Sequence, residues 1–137
     1  MKYLLILSCL LFTSVGWSED ISLDDLVVRD GLHYEKFTDV PFTGNVTGRE
    51  RGKISKGKKE GEWLKYYGNG QLMWKSNYKN GKEEGEILWY YSNGQLWEKG
   101  NYKDAKKDGE WLQYYKNGQL KIKWNYKDGK LEGEWLS

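Results

Sequence analysis

The stretch Glu60-Gly61-Glu62-Trp63-Leu64-Lys65-Tyr66-Tyr67-Gly68-Asn69-Gly70-Gln71-Leu72 decides how this chain is read, because it returns as EGEILWYYSNGQL at 84–96 and as DGEWLQYYKNGQL at 108–120. Gly61, Gly85, Gly109 and Gly133 are spaced by 24 residues, and the Asn-Gly pairs at 69–70, 93–94 and 117–118 keep the same period. Asn77-Tyr78-Lys79 recurs in step at 101–103 and 125–127. A fixed period of this length marks a tandem array in which each copy buries its apolar face on the next. Units start near 61, 85, 109 and 133, with a partial copy at 52–60 and a more diverged half-unit at Pro41-Phe42-Thr43-Gly44.

Each unit holds two glycine-centred turn signals, Asn69-Gly70 and Asn80-Gly81 in the first, separated by runs rich in Trp, Tyr and Leu. Asn-Gly between such runs is a strong hairpin signal, because both central residues of the tight turn need positive φ. The expected fold is therefore all-β: an elongated, single-layer antiparallel meander of 24-residue hairpins, advancing roughly 10 Å per unit. A two-residue turn at Asn69-Gly70 predicts the pairs Tyr67 with Leu72, Tyr66 with Met73, Lys65 with Trp74, Trp63 with Ser76 and Gly61 with Tyr78. Alternation then puts Trp63, Tyr67, Leu72, Trp74 and Tyr78 on a core face and Glu62, Leu64, Tyr66, Met73, Lys75 and Asn77 on a second face. A longer loop with a bulge would slip the pairing by one and invert those faces. In this register each strand-start glycine faces a tyrosine, whose ring is expected to cover the space of the missing Cβ.

The chain has 137 residues and a formal net charge of +2. Residues 19–50 hold eight Asp or Glu against three Lys or Arg, and residues 51–137 hold twelve against eighteen. Three segments follow: 1–18, an acidic cap at 19–51 expected to cover the first strand, and the repeats at 52–137. Residues 1–18 have the form of a secretory signal peptide, with Lys2 before the apolar run 4–15 and the small residues Gly16 and Ser18 before the acidic Glu19-Asp20. The apolar run is too short for the roughly 20 residues of a spanning helix. An exported location, periplasmic or secreted, is therefore expected. Removal of the leader would take the single cysteine, Cys9, with it and exclude disulfides and thiolate metal sites.

The Asn-Tyr-Lys-Asn-Gly-Lys-x-x-Gly-Glu-Trp pattern at 77–87, with Ile87 in place of Trp, and its relative at 125–135 resemble the MORN repeat, more closely its bacterial variant with Asn-Gly-Gln-Leu turns. The resemblance covers about residues 52–137. It implies a sheet of hairpins that scaffolds protein contacts or meets membrane lipid, and many bacterial relatives carry an antitoxin label. Two departures stand out. Ala105 replaces a turn glycine, which costs on the order of 1 kcal/mol if the positive φ is kept, so a different turn type is expected there. Ile87 replaces a column tryptophan.

Catalysis finds no convergent groups to work with. His33 is the one histidine, no serine sits in a Gly-x-Ser-x-Gly elbow, and Glu62, Glu86, Glu110 and Glu134 form a ladder roughly 10 Å apart rather than a pair. No catalytic residue, metal site or cofactor is expected, and no nucleic-acid partner. The expectation is a non-enzymatic scaffold for a protein partner. Its alternatives are an antitoxin or immunity-like inhibitor, and attachment to anionic lipid or envelope polymer through the basic repeats. Positions that are polar in one unit but aromatic in another mark the binding surface: Trp97 (Met73 and Lys121 elsewhere), Trp89 (Lys65, Gln113), Trp74 (Glu98, Ile122) and Trp124 (Ser76, Gly100). Trp97 is expected to pair with Tyr90 on the second face, beside Leu88 and Lys99, as an apolar patch rimmed by charge.

Overall fold

The computed structural model describes residues 20–136, so the leader reading of 1–18 lies outside the described residues. Ten strands form one sheet. Strand β1 (Asp20–Ser22) lies parallel to β4 (Gly44–Thr47), and from β4 onward each strand pairs antiparallel with the next. The order continues through β5 (Glu50–Ser55), β6 (Lys58–Tyr66), β7 (Leu72–Lys79), β8 (Lys82–Tyr90), β9 (Leu96–Lys103), β10 (Lys106–Tyr114), β11 (Leu120–Lys127) and β12 (Lys130–Leu136). The hairpin of β2 (Leu26–Arg29) and β3 (Leu32–Glu35) stands apart as a second small sheet. Pairing within the ribbon thus reaches upstream of residue 52, through β4 and β5.

The two turn signals build two different turns. At Asn80-Gly81, Lys79 pairs with Lys82, and both central residues are left-handed, with φ of 53° and 80°. This is the two-residue turn whose twist matches the strands it joins. The same turn recurs at Asp104-Ala105, with φ of 50° and 62°. Ala105 therefore keeps the turn type of its relatives instead of changing it, held by an N–H that donates to the Glu83 carbonyl at 3.0 Å. Ala105→Gly should remove left-handed strain of about 1 kcal/mol, less what glycine adds to the entropy of the unfolded chain. A small upward shift of the urea midpoint is the expected result.

Asn69-Gly70 is different. The Gly70 N–H donates to the Tyr67 carbonyl at 3.0 Å, the Tyr67 N–H donates to the Gln71 carbonyl at 2.8 Å, and only Gly70 is left-handed, at 84°. That is a three-residue loop ending in a left-handed glycine. Asn69 works through its side chain, its Oδ1 accepting from the Gln71 N–H at 3.1 Å while its amide donates to the Ser92 carbonyl of the next unit at 2.9 Å. The longer loop moves Tyr66 opposite Leu72, and a bulge between Lys65 and Tyr66 then restores the expected pairs, Lys65 with Trp74 through Gly61 with Tyr78. Two irregularities cancel, so the core face survives. Leu72 leaves its expected partner Tyr67, and Met73, expected on the second face, packs against the core cluster.

The strand-start glycines are explained by φ and not by a covering ring. Gly61, Gly85 and Gly109 have φ of 69°, 85° and 73°, and a Cβ built on any of them would meet nothing within 4 Å. Each falls where the register shifts between one repeat and the one before. Bulges of this kind take glycine because it alone adopts the conformation freely.

The core is one column on the first face. Trp63 is fully buried, and Trp111 and Ile87 nearly so. Each of these bulky residues lies against a small one on the preceding strand: a Cβ on Gly52 would fall 2.3 Å from the Trp63 ring and one on Gly100 would fall 2.1 Å from the Trp111 ring. Ser76, buried, stands opposite Ile87. Glycine accompanies tryptophan and serine accompanies isoleucine, so the sum of bulk is kept. At the N-terminal end Leu26, Phe42, Val46 and Ile54 pack in one cluster with Trp63 and Trp74. Between units, Tyr67 and Tyr91 donate their hydroxyls to the carbonyls of Tyr90 and Tyr114 at 2.7 and 2.9 Å. Tyr115, at the same repeat position, is exposed.

Candidate binding face

On β6 and β10 the column tryptophans carry a lysine. Lys59 Nζ lies 4.0 Å from the Trp63 ring centroid and Lys107 Nζ lies 3.8 Å from that of Trp111. A cation over an indole face gains from the ring quadrupole. Tyrosine edges close the sides, Tyr78 at 6.3 Å from Trp63 and Tyr102 at 5.3 Å from Trp111. Lys59 is also paired with Glu50 at 2.6 Å, and Glu50 accepts a second contact from Lys65 at 3.4 Å.

The middle unit breaks this pattern. The position of Lys59 and Lys107 holds Glu83, that of Trp63 and Trp111 holds Ile87, and the Glu50–Lys65 pair is replaced by Trp74–Trp89. Their ring centroids are 6.0 Å apart, Trp97 meets Trp89 edge-on at 6.0 Å, and Tyr91 lies 6.2 Å from Trp97. Four aromatic rings thus run continuously across three strands and the adjoining turn. Trp74 is mostly covered, while Trp89, Trp97 and Tyr91 are half-buried.

Of the residues singled out by sequence, the structure brings Trp74, Trp89 and Trp97 together. It separates the other two. Tyr90 pairs with Leu96 and points away from this row by strand alternation, whereas Trp97 is the extra residue of the β8–β9 bulge and packs on Trp89 and Tyr91. The expected Trp97–Tyr90 pair on the second face is therefore not formed, for the same reason that Met73 is displaced. Trp124 lies opposite Trp111, more than one repeat away. Tyr91, Tyr78, Glu83 and Ile87 were not among the expected site residues. Comparing units would have flagged Glu83, an acid where its relatives are lysine.

The second face is polar and locally paired. Lys75 meets Glu62 at 2.6 Å and Lys123 meets Glu110, so two of the repeated glutamates act in cross-strand ion pairs. The hydrogen bond and charge of Glu62 raise the Lys75 pKa. Among the described residues no group of three His, Cys, Asp or Glu is placed to hold a metal ion. His33 Nδ1 lies 2.9 Å from the Gly57 carbonyl, tying β3 to a turn of the ribbon.

Burial, followed by the negative charges of Glu83 and Glu50, pushes the Tyr78 hydroxyl well above its ordinary value, and its proton is directed at Glu83 Oε1, 3.4 Å away. Burial, then Glu83 and Glu98, raises Tyr102 in the same direction. The unfolded-state pKa is about 10, so this contribution to stability is complete below it and declines as pH climbs toward the raised folded-state values. Urea midpoints should be flat up to about pH 9.5 and fall above it. The fall should be shallower in Tyr78→Phe.

Residues 59–80, 83–104 and 107–128 each match the family model described as MORN repeat variant. A comparison with curated proteins returns no match. Three consecutive units of the ribbon thus match the MORN-type repeat, a motif that generally serves as a scaffold for binding proteins or membranes.

Proposed function

We propose that this protein is an exported, non-enzymatic scaffold that binds a protein partner through the first face of its ribbon at Trp89, Trp97 and Tyr91. The observation that carries the reading is the half-buried aromatic row in the middle unit, where its neighbours hold Glu50 with Lys65 and Glu98 with Gln113. Large aromatics rimmed by charge are the usual anchors of protein interfaces. Support for export comes from the leader-like sequence of residues 1–18 alone. The lipid reading has weaker support, because Lys59, Lys75 and Lys123 are engaged by Glu50, Glu62 and Glu110 and Lys107 lies over Trp111. A toxin as the partner is the narrower reading that the family resemblance carries.

The test is capture from an envelope extract by residues 19–137, set beside Trp97→Ala, Trp89→Ala and a second-face control, Tyr66→Ala, each shown to be folded by circular dichroism. A band lost only with the two first-face variants supports the reading. Equal capture by all four proteins would refute it. Recovery of anionic lipid alone, removed by salt, would favour the membrane alternative.

A further inference from the structure

A cleft of about 170 Å³ opens on the first face between Trp74, Tyr78, Glu83, Ile87 and Trp89. It is smaller than the roughly 300–1,000 Å³ of pockets that hold whole drug-sized ligands. A single head group fits that scale. Three of its walls are aromatic rings, one is the apolar Ile87, and the remaining group is a carboxylate.

The neighbouring units show what such a space accepts. In each of them an internal ammonium lies over the column tryptophan, and it also approaches a tyrosine: Lys59 is 5.2 Å from Tyr78 and Lys107 is 5.1 Å from Tyr126. The middle unit lacks that lysine. Glu83 stands in its place, Ile87 with Ser76 fills the column position that an indole takes in the flanking units, and Trp74 and Trp89 add two π-faces that the flanking units do not have. The unit has exchanged its own cation for an acid whose carboxylate accepts only from the Tyr78 hydroxyl among the described residues, while enlarging the aromatic lining, so the cleft is complementary to a cation from outside. Lys59, whose ammonium lies 5.2 Å from the Tyr78 ring and 5.9 Å from the Trp74 ring, is already paired with Glu50.

We infer that the Trp74–Tyr78–Glu83–Trp89 cleft is a binding site for a methylated ammonium group of the choline type. It rests on the reading of the first face as the binding face, and it names the chemistry recognised there. A quaternary ammonium is attracted by aromatic faces and by one carboxylate and requires no hydrogen-bond acceptors. A primary ammonium would bring three N–H donors to walls that offer Glu83 and little else, and unpaired donors are costly to bury.

Titration of the folded chain with tetramethylammonium chloride and with choline, followed by tryptophan fluorescence against sodium chloride at matched ionic strength, tests this directly. A saturable change is expected in the wild type. It should weaken roughly fivefold in Glu83→Gln, weaken at least tenfold in Trp89→Ala and vanish in Glu83→Lys, which restores the lysine of the flanking units. Should Glu83→Lys fail to fold by circular dichroism, the other two variants decide. The uncharged isostere 3,3-dimethyl-1-butanol should give no saturable response. The inference is overturned if the wild type does not respond, if the isostere binds as well as choline, if Glu83→Lys binds undiminished, or if N-acetyl-lysine methylamide binds as tightly as choline. Because these ligands are small and defined, failure here leaves the Trp97 capture experiment standing, and failure of that capture leaves this titration interpretable.

Discussion

Replacing Trp63 by alanine should cost about 3–5 kcal/mol, the range for losing a large aromatic from a packed core. Several losses combine at this position. Trp63 is fully buried, its ring occupies the space above Gly52, its Nε1–H donates to the Lys53 carbonyl at 3.2 Å, and it underlies the Lys59 ammonium. It also joins two parts of the fold, because Leu26, Phe42, Val46 and Ile54 pack around it while the repeat array begins on its other side. Stability in a repeat array is a sum over units and neighbour contacts. The damage should therefore be uneven: amide exchange in β4 and β5 should rise sharply, while β9 to β11 keep most of their protection. Urea unfolding followed by fluorescence gives the magnitude, and exchange gives its location. Uniform loss of protection along the ribbon would mean that the column is one cooperative unit, contrary to the picture drawn from its contacts.

Gly100→Ser should destabilise by about 1–3 kcal/mol through overpacking, and Trp111→Ile should do so by about 3 kcal/mol through the space it leaves. The double variant should be less damaged than the two losses added together. Gly100 has no positive φ, so a side chain there meets no backbone objection. What it meets is the Trp111 ring, 2.1 Å from the position of a new Cβ. Ser76 with Ile87 is the same pair of positions solved the other way, with a larger residue before and a smaller one after. The double variant copies that solution into the next unit, so a coupling of about 1–2 kcal/mol is expected from a double-mutant cycle between touching residues. Strict additivity would show that the small positions are set by something other than the bulk opposite them.

Much of the candidate face was legible as a departure from the repeat. Trp74, Trp89 and Trp97 stand where at least one other unit is polar, and that comparison needs no structure. Their grouping did not follow from it. The β8–β9 bulge shifts Trp97 out of simple alternation and onto Trp89 and Tyr91, and the sequence around Asn93-Gly94 carries no sign that distinguishes a two-residue turn from a three-residue one with a compensating bulge. Glu83 went unnoticed because an acid among alternating charges reads as surface. Only the ring centroids and the cleft around it show that the neighbouring lysines at that position are stacked and not simply solvated.

The period of 24, the hairpin as its unit, the meander and the burial of the column tryptophans Trp63 and Trp111 are properties of the sequence by itself, since they depend on local turn chemistry and on a strict alternation repeated three times. The tight turn kept by Ala105, the left-handed φ behind Gly61, Gly85 and Gly109, and the side on which Trp97 emerges were decided by the tertiary structure. Each of these depends on where a strand meets the repeat before or after it. Bulges absorb mismatches between neighbouring hairpins, and a mismatch of one residue, invisible within a single copy, determines the face on which a side chain appears.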